Sequence, residues 1–401
     1  MSAISQEVKA IAAECIAWRR HLHQNPELSF CEERTTAYIE ETLRSFGVTA
    51  IDRPTKTGLV AHVYGTREGR PAVAAIRADI DALPIREDND LPYASTDPKA
   101  MHACGHDGHT AILLAVAKLL SASPESFCGE ARLIFQHAEE LPPGGAIELQ
   151  RAGVMEGAKA LLGLHLSSQY PTCVFGVKSG ALTANVDRFD ITLTGRGGHC
   201  ALPEECIDPI VAAAELVTAL QTVVSRRVAA IDPAVVSVCQ LTAGHVYNVI
   251  PGSAFLSGTS RSFSPETRTK IEAEIRRITA GVALQSGVEA EVKWTSGYPA
   301  VMNDTALTNA ARQTISERFG VGALLEIDCV TPGEDFSYFE ENCPGFFVEL
   351  GTRNASIGAD QPHHNPKYRM DEAALSFGVQ YELDMVRMLL DGTGRNLPGR
   401  R

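Results

Sequence analysis

Residues 186–296 constrain the fold more than any other stretch. A strand-like run, 187–195, leads to a helix, 208–227, with Asp208 as N-cap and Pro209 in its first turn. Strands 235–243 and 253–263 follow, joined across Asn248-Val-Ile-Pro-Gly, then a helix from Ser264-Pro265 to about 286 and a strand 289–295. The order β-α-β-β-α-β is that of a ferredoxin-like module. On both sides the chain alternates strands and helices, resuming with a helix 305–318 capped by Asp304 and ending in a helix near 372–391. The expected fold is therefore α/β. A discontinuous domain of residues 1–185 and 297–401, a mixed sheet with helices on both faces, carries 186–296 as an insertion. The 401 residues agree, because they exceed what one hydrophobic core usually holds.

The first piece of the larger domain concentrates polar residues where strands end. An amphipathic helix, 5–24, stops at Pro26, and a second, 32–46, stops at Gly47. In the first, His21 and His23 read as cap or surface residues beside Arg19 and Arg20. Runs 58–65 and 72–81 read as strands, the second apolar enough to be covered on both faces. Arg77, Asp79 and Asp81 share one face of its exit by alternation, at the carboxyl edge where α/β sheets place their sites. Strand 131–137 runs into Glu139 and Glu140, followed by Pro142 and Pro143. Neighbouring strand residues face opposite ways, so both carboxylates share a cavity only if the strand has ended there. One can then hold a metal while the other moves protons. Strand 160–166 has a single polar residue, His165.

Residues 101–109, Met-His-Ala-Cys-Gly-His-Asp-Gly-His, pack three imidazoles, a thiol and a carboxylate ahead of an apolar helical run, 110–121. Thiolate and neutral imidazole suit zinc and neighbouring transition metals. Cys104 and His106 fall at the N-terminal end of the helix, where its dipole favours a thiolate. Loop 361–368 offers His363 or His364. With Cys104, His106, Glu140 and His165 this makes five ligands. Five exceed the usual three of a catalytic zinc, and two metals sharing a bridging group about 3.5–4 Å apart account for them. A formal charge of −13 argues against nucleic acid as a partner. No apolar stretch reaches the roughly 18 residues of a membrane span, and the first residues lack a signal-peptide core, so a cytoplasmic protein is expected. The ten cysteines lack paired spacing and read as reduced thiols.

Arg77-Ala-Asp-Ile-Asp-Ala-Leu-Pro, Met101 to His109, Gln136-His-Ala-Glu-Glu, Gly197-Gly-His, Asn248-Val-Ile-Pro, Gly333-Glu-Asp-Phe-Ser and His364-Asn-Pro-Lys-Tyr together resemble the peptidase M20 family of metal-dependent amidohydrolases. The likeness is to the branch with aminoacylases, hippurate hydrolases and plant auxin-amide hydrolases, and it covers nearly the whole chain. It implies that the inserted module is a lid that also dimerises, giving a homodimer or homotetramer. It also implies Cys104, His106, Glu140, His165 and His364 as ligands of two divalent ions (Zn, Mn, or Ni or Co), and Glu139 as general base. His364 is selected over His363 because the family's ligand precedes a short residue and Pro. The implied reaction is hydrolysis of N-acetyl, N-benzoyl or other N-acyl L-amino acids to a carboxylate and a free amino acid. An attacking water loses its proton to Glu139, which then protonates the leaving amine. His199, in a glycine-rich loop, is the candidate oxyanion donor, with a partner subunit as its implied source. Arg261 with Asn248 is expected to hold the substrate carboxylate, and Asp79 to orient a ligand or the base. Alternatives are a dipeptidase, carboxypeptidase or specialised aminohydrolase of the same family, a non-catalytic metal-binding protein, and a Cys104 nucleophile paired with a His.

Overall fold

The computed structural model describes residues 3–395, 397 and 398. The chain divides into two compact units. One comprises the residues up to Leu182, Val301–Asp328 and those from Asp335 onward; the other comprises Thr183–Ala300 with Cys329–Glu334.

The principal elements, in chain order, begin with α1 (Gln6–Gln24), α2 (Glu33–Ser45), β1 (Leu59–Thr66), β2 (Ala72–Asp79), α3 (His106–Ala122), β3 (Cys128–Gln136) and β4 (Ala160–Pro171). The second unit adds β5 (Asn185–Thr194), α4 (Pro209–Thr222), β6 (Ala234–Ala243), β7 (Ser253–Ser262), α5 (Pro265–Ser286) and β8 (Glu289–Ser296). The first unit then resumes with α6 (Thr305–Phe319), β9 (Gly345–Arg353) and α7 (Ala373–Leu389).

In the first unit the sheet order is Ile51–Asp52, β1, β3, β2, β4, β9, Phe175–Val177, Leu324–Glu326. β2 lies parallel to β3 and β4, and β4 parallel to β9, while β1 is antiparallel to β3, so the sheet is mixed. Alternation divides its side chains between two cores. Leu59, Ala61, Ala74 and Ile76 pack with α1, α3 and α7, whereas Val60, Ala75, Ile134, Leu161 and Phe347 pack under the short helix Ala146–Arg151 and the turn Asp335–Glu341. α3 is buried almost all round, as its uninterrupted apolar sequence requires. The four parallel strands thereby bring their carboxyl ends to one edge, and the residues that follow β2 and β3 meet there.

The second unit is an antiparallel sheet, β6-β7-β5-β8, with α4 and α5 on one face. β5 alternates strictly, burying Phe189, Ile191 and Leu193 against Leu216, Leu220, Ile271 and Ile275. α4 stops being α-helical at Thr222 and continues as a π-helical turn, Val223–Arg227, within the expected single helix. β4 runs five residues beyond the expected 166, because its ladder with β9 continues through polar residues.

α7 carries a buried acid, Glu382, whose Oε2 has no hydrogen-bond partner and whose carboxyl is pushed up to about 8 by burial. The native state therefore keeps a proton that the unfolded chain releases near pH 4.5. The stabilisation is complete below that pH and is lost as pH rises toward 8. E382Q, which stays neutral, is expected to raise unfolding free energy at pH 8 by roughly 2–4 kcal/mol and to change little at pH 4.5, in urea titrations at the two values.

Candidate metal centre

Six side chains of the first unit meet at the carboxyl edge of its sheet. Cys104 Sγ lies 3.6 Å from His165 Nε2. His364 Nε2 is 3.2 Å and His106 Nε2 3.9 Å from Glu140 Oε1. The donor atoms of Cys104, His106 and His165 all lie within 4.8 Å of one another, as do those of Cys104, Glu140 and His364, and those of His106, Glu139 and Glu140. Cys104, His106 and Glu140 each belong to two of these groups, so the donors form one continuous cluster.

Local structure explains each placement. Gly105 takes φ +99, turning the chain from Cys104 directly into α3 so that His106 is its first residue. Asp81 holds the His106 Nδ1–H through its carbonyl at 3.0 Å and Oδ1 at 3.2 Å, which leaves Nε2 facing the cluster without a hydrogen-bond partner. His165 sits on β4 with Nδ1–H donated to the Leu166 carbonyl at 3.1 Å, so its Nε2 lone pair points at Cys104. β3 ends at Gln136, and Ala138, at φ +50, turns the chain so that the consecutive Glu139 and Glu140 both reach the cluster. The loop carrying His364 is tied down by its amide, which donates to the Ala103 carbonyl at 2.8 Å. Its neighbour His363 accepts the Ser168 N–H at 3.2 Å on Nε2, its ring 5.2 Å from that of His165.

Asp79 lies beside the His106 ring, its Oδ2 3.6 Å from Nε2. Its carboxylate accepts from His109 Nδ1 at 2.6 Å and Arg77 Nη1 at 2.7 Å, while Asp81 supports His106. His109 in turn accepts the Leu166 amide at 2.8 Å on Nε2, so both its nitrogens are engaged and it is not a donor to the cluster. His23 is buried, contrary to the surface role expected of it: Nδ1 meets Asp107 at 2.8 Å and Nε2 meets Glu87 at 3.1 Å, with Arg19 on the same Asp107 oxygen. A charged side chain in the interior requires such partners, and sequence spacing alone does not reveal them. His21 stacks on Tyr38 at 3.9 Å.

The cluster is strongly anionic. Burial opposes a charge on His106, yet Asp79, Asp81 and Glu140 raise it to about 10. Burial, reinforced by Glu140, Glu139 and Asp79, pushes the Cys104 thiol well up, so the helix dipole does not acidify it as its position suggested. Burial and neighbouring imidazoles hold His165 well below its usual value, and hence neutral. One sulfur, three imidazoles, one of them with an orphaned Nε2, and a carboxylate fit divalent cations of the zinc type.

The remaining candidates lie in the second unit. His199 and Asn248 are exposed neighbours: Gly198–His199 pairs with Val249–Ile250, and the Cys200 amide donates to the Asn248 carbonyl. Arg261 is half-buried near the other end of β7, eight residues from Ser253, or about 26 Å along the strand. One chain therefore does not bring Arg261 and Asn248 onto a single carboxylate. Asp81 was the contributor that the sequence understated, visible only as the last acid of the strand exit.

The family model for peptidase family M20/M25/M40 matches residues 75–388. An N-acetylcysteine deacetylase of Bacillus subtilis (strain 168) is 41% identical over 384 residues, covering 96% of this chain and 98% of its own length. An N-acyl-L-amino acid amidohydrolase of Geobacillus stearothermophilus is 46% identical over 300 residues, covering 75% of this chain and 80% of that protein. Among solved structures, a dinuclear metal-binding M20 peptidase of Bacillus subtilis superposes with a TM-score of 0.84 at 38% identity, over 96% of this chain and 99% of that one. Fold, donor cluster and matched length agree: the chain belongs to peptidase family M20/M25/M40, in its amidohydrolase branch.

Proposed function

We propose that this protein is a metal-dependent amidohydrolase that cleaves N-acyl L-amino acids to a carboxylate and a free amino acid. The observation carrying this reading is a second carboxylate, Glu139, beside a donor set that is complete without it. Cys104, His106, Glu140, His165 and His364 would hold two divalent ions, and the relatives' names supply the substrate class. When bound, such ions polarise a scissile carbonyl and acidify water. Glu139 takes the proton of the attacking water and returns it to the leaving nitrogen. Asp81 fixes the His106 ring through its Nδ1–H, and Asp79, held by Arg77 and His109, places negative charge 3.6 Å from Nε2 of the same ring.

The unit of Thr183–Ala300 with Cys329–Glu334 is the lid and dimerisation domain in this reading, around the expected 186–296, and the other unit is the catalytic domain. His199 serves as oxyanion donor, and Asn248 and Arg261 as carboxylate holders. Because Arg261 stands far from His199 and Asn248 within one chain, a complete substrate site takes Arg261 from one copy and the other two from its partner, which favours a homodimer or a larger even assembly. All ten cysteines are free thiols, which suits a reducing compartment such as the cytoplasm. Among the described residues no helix is long and apolar enough to cross a membrane.

Steady-state rates on N-acetyl, N-benzoyl and indole-acetyl amino acids, beside dipeptides with a free amino terminus, test the reading. Preference for the acylated series is expected. Turnover of dipeptides alone would make the enzyme a dipeptidase.

A further inference from the structure

Glu32, buried just before α2, has no place in the chemistry above. Its Oε1 accepts two backbone N–H groups, from Phe30 at 3.0 Å and from Ala138 at 2.8 Å. Both donors are non-glycine residues with left-handed backbone, φ +64 and φ +50, a conformation that an L residue keeps only when its surroundings enforce it. Ala138 immediately precedes Glu139 and Glu140. Two residues on, the Glu140 amide donates to Asp81 Oδ2 at 3.0 Å, and the Ser29 hydroxyl donates to that same oxygen at 2.7 Å. The segment before α2 thus lines the turn after β3: Phe30 packs edge-on against His137 at 5.6 Å, and the Glu27 carbonyl accepts the Ala82 amide at 2.9 Å.

We propose that Glu32 is a positioning residue for the hydrolysis, its carboxylate holding Ala138 in the left-handed turn that aims Glu139 at the attacking water, while Glu140 keeps an anchor of its own, its amide on Asp81 Oδ2. This rests on the amidohydrolase reading. A buried carboxylate 106 residues away from Ala138 in sequence secures the general base by gripping the backbone amide of the residue before it.

Three variants of the full-length enzyme test it. E32Q keeps an acceptor oxygen, E32A removes it, and E32A/A138G adds a glycine that adopts positive φ without strain. E32A is expected to lower kcat by about 50-fold with KM within about threefold and metal content unchanged, because the base is misaimed and binding is not. E32Q should stay within about threefold of wild type, and A138G should recover at least about fivefold of the E32A loss. Independently of turnover, amide exchange across residues 136–141 of the metal-free protein should rise about tenfold in E32A and not in E32Q. Should E32A fail to fold, E32D, with the carboxylate withdrawn by one methylene, carries the same expectations. Wild-type kcat and exchange in E32A would overturn the proposal, as would a loss of activity that merely follows lost metal or folded protein. A wild-type enzyme inert toward every N-acyl amino acid would instead remove the amidohydrolase reading, and the exchange measurement would still decide the Ala138 contact.

Discussion

E139Q is expected to lower kcat on the best N-acyl amino acid by roughly 10³-fold, about 4 kcal/mol of transition-state stabilisation, with KM and metal content close to wild type. Glutamine has the shape of glutamate but no lone pair basic enough to take a proton from water, and no proton to return to the leaving nitrogen. Glu139 is buried and within 4.8 Å of donor atoms on His106 and Glu140, yet the five other donors remain without it. Loss of turnover should therefore separate from loss of metal. Metal analysis of the purified variant beside single-turnover kinetics makes the distinction, and a variant that keeps near wild-type kcat would dismiss Glu139 as the base.

Removing the metals should have an effect as large. Dialysis against a chelator is expected to abolish turnover, and titration with Zn or Mn to restore it. The physical reason lies in the cluster's charge. Without cations, Glu139, Glu140 and Asp79 surround a thiol driven up by burial and by those same carboxylates, so the bare site gathers more negative groups than the raised His106 and Arg77 offset. Ligand binding to the native state alone adds about 4 kcal/mol at a thousandfold excess over Kd, and the melting temperature should fall on chelation accordingly. The same experiment addresses a Cys104 nucleophile. Such an enzyme would keep its activity after complete metal loss and be inactivated by alkylation at the same rate with or without metal. The raised thiol argues against it, since a nucleophilic cysteine needs its thiolate stabilised.

Much of this site was legible in the chain because its donors are concentrated in short motifs. Cys104, His106 and the Glu139–Glu140 pair stand out by residue type and by position at helix starts and strand ends, where unpaired backbone and chain reversals gather functional groups. His165 was legible as a lone polar residue on a buried strand. The roles of neighbours were not. His363 and His364 are adjacent imidazoles that residue type leaves equivalent; the family resemblance pointed to His364, and in the structure Glu140 lies beside that ring while the Ser168 amide meets the other. His109 lies in the same nine-residue motif as Cys104, but Asp79 and the Leu166 amide occupy both its nitrogens. His23 looked like a surface residue because Asp107 and Glu87, its partners, lie 84 and 64 residues away.

The sequence by itself determined the alternation of strands and helices, the interrupting β-α-β-β-α-β block and the chemical identity of the donors, since periodicity, caps and ligand type are local properties of the chain. Tertiary structure decided which carboxylate supports which imidazole, what each of two adjacent histidines meets, how Ala138 is held in its left-handed turn, and that Arg261 stands near the far end of β7 from the connection that carries Asn248. Those outcomes depend on contacts between residues distant in the chain, where a hydrogen bond goes to whichever donor the packing of the sheet brings within about 3 Å, and nothing in the spacing of residues along the chain records that distance.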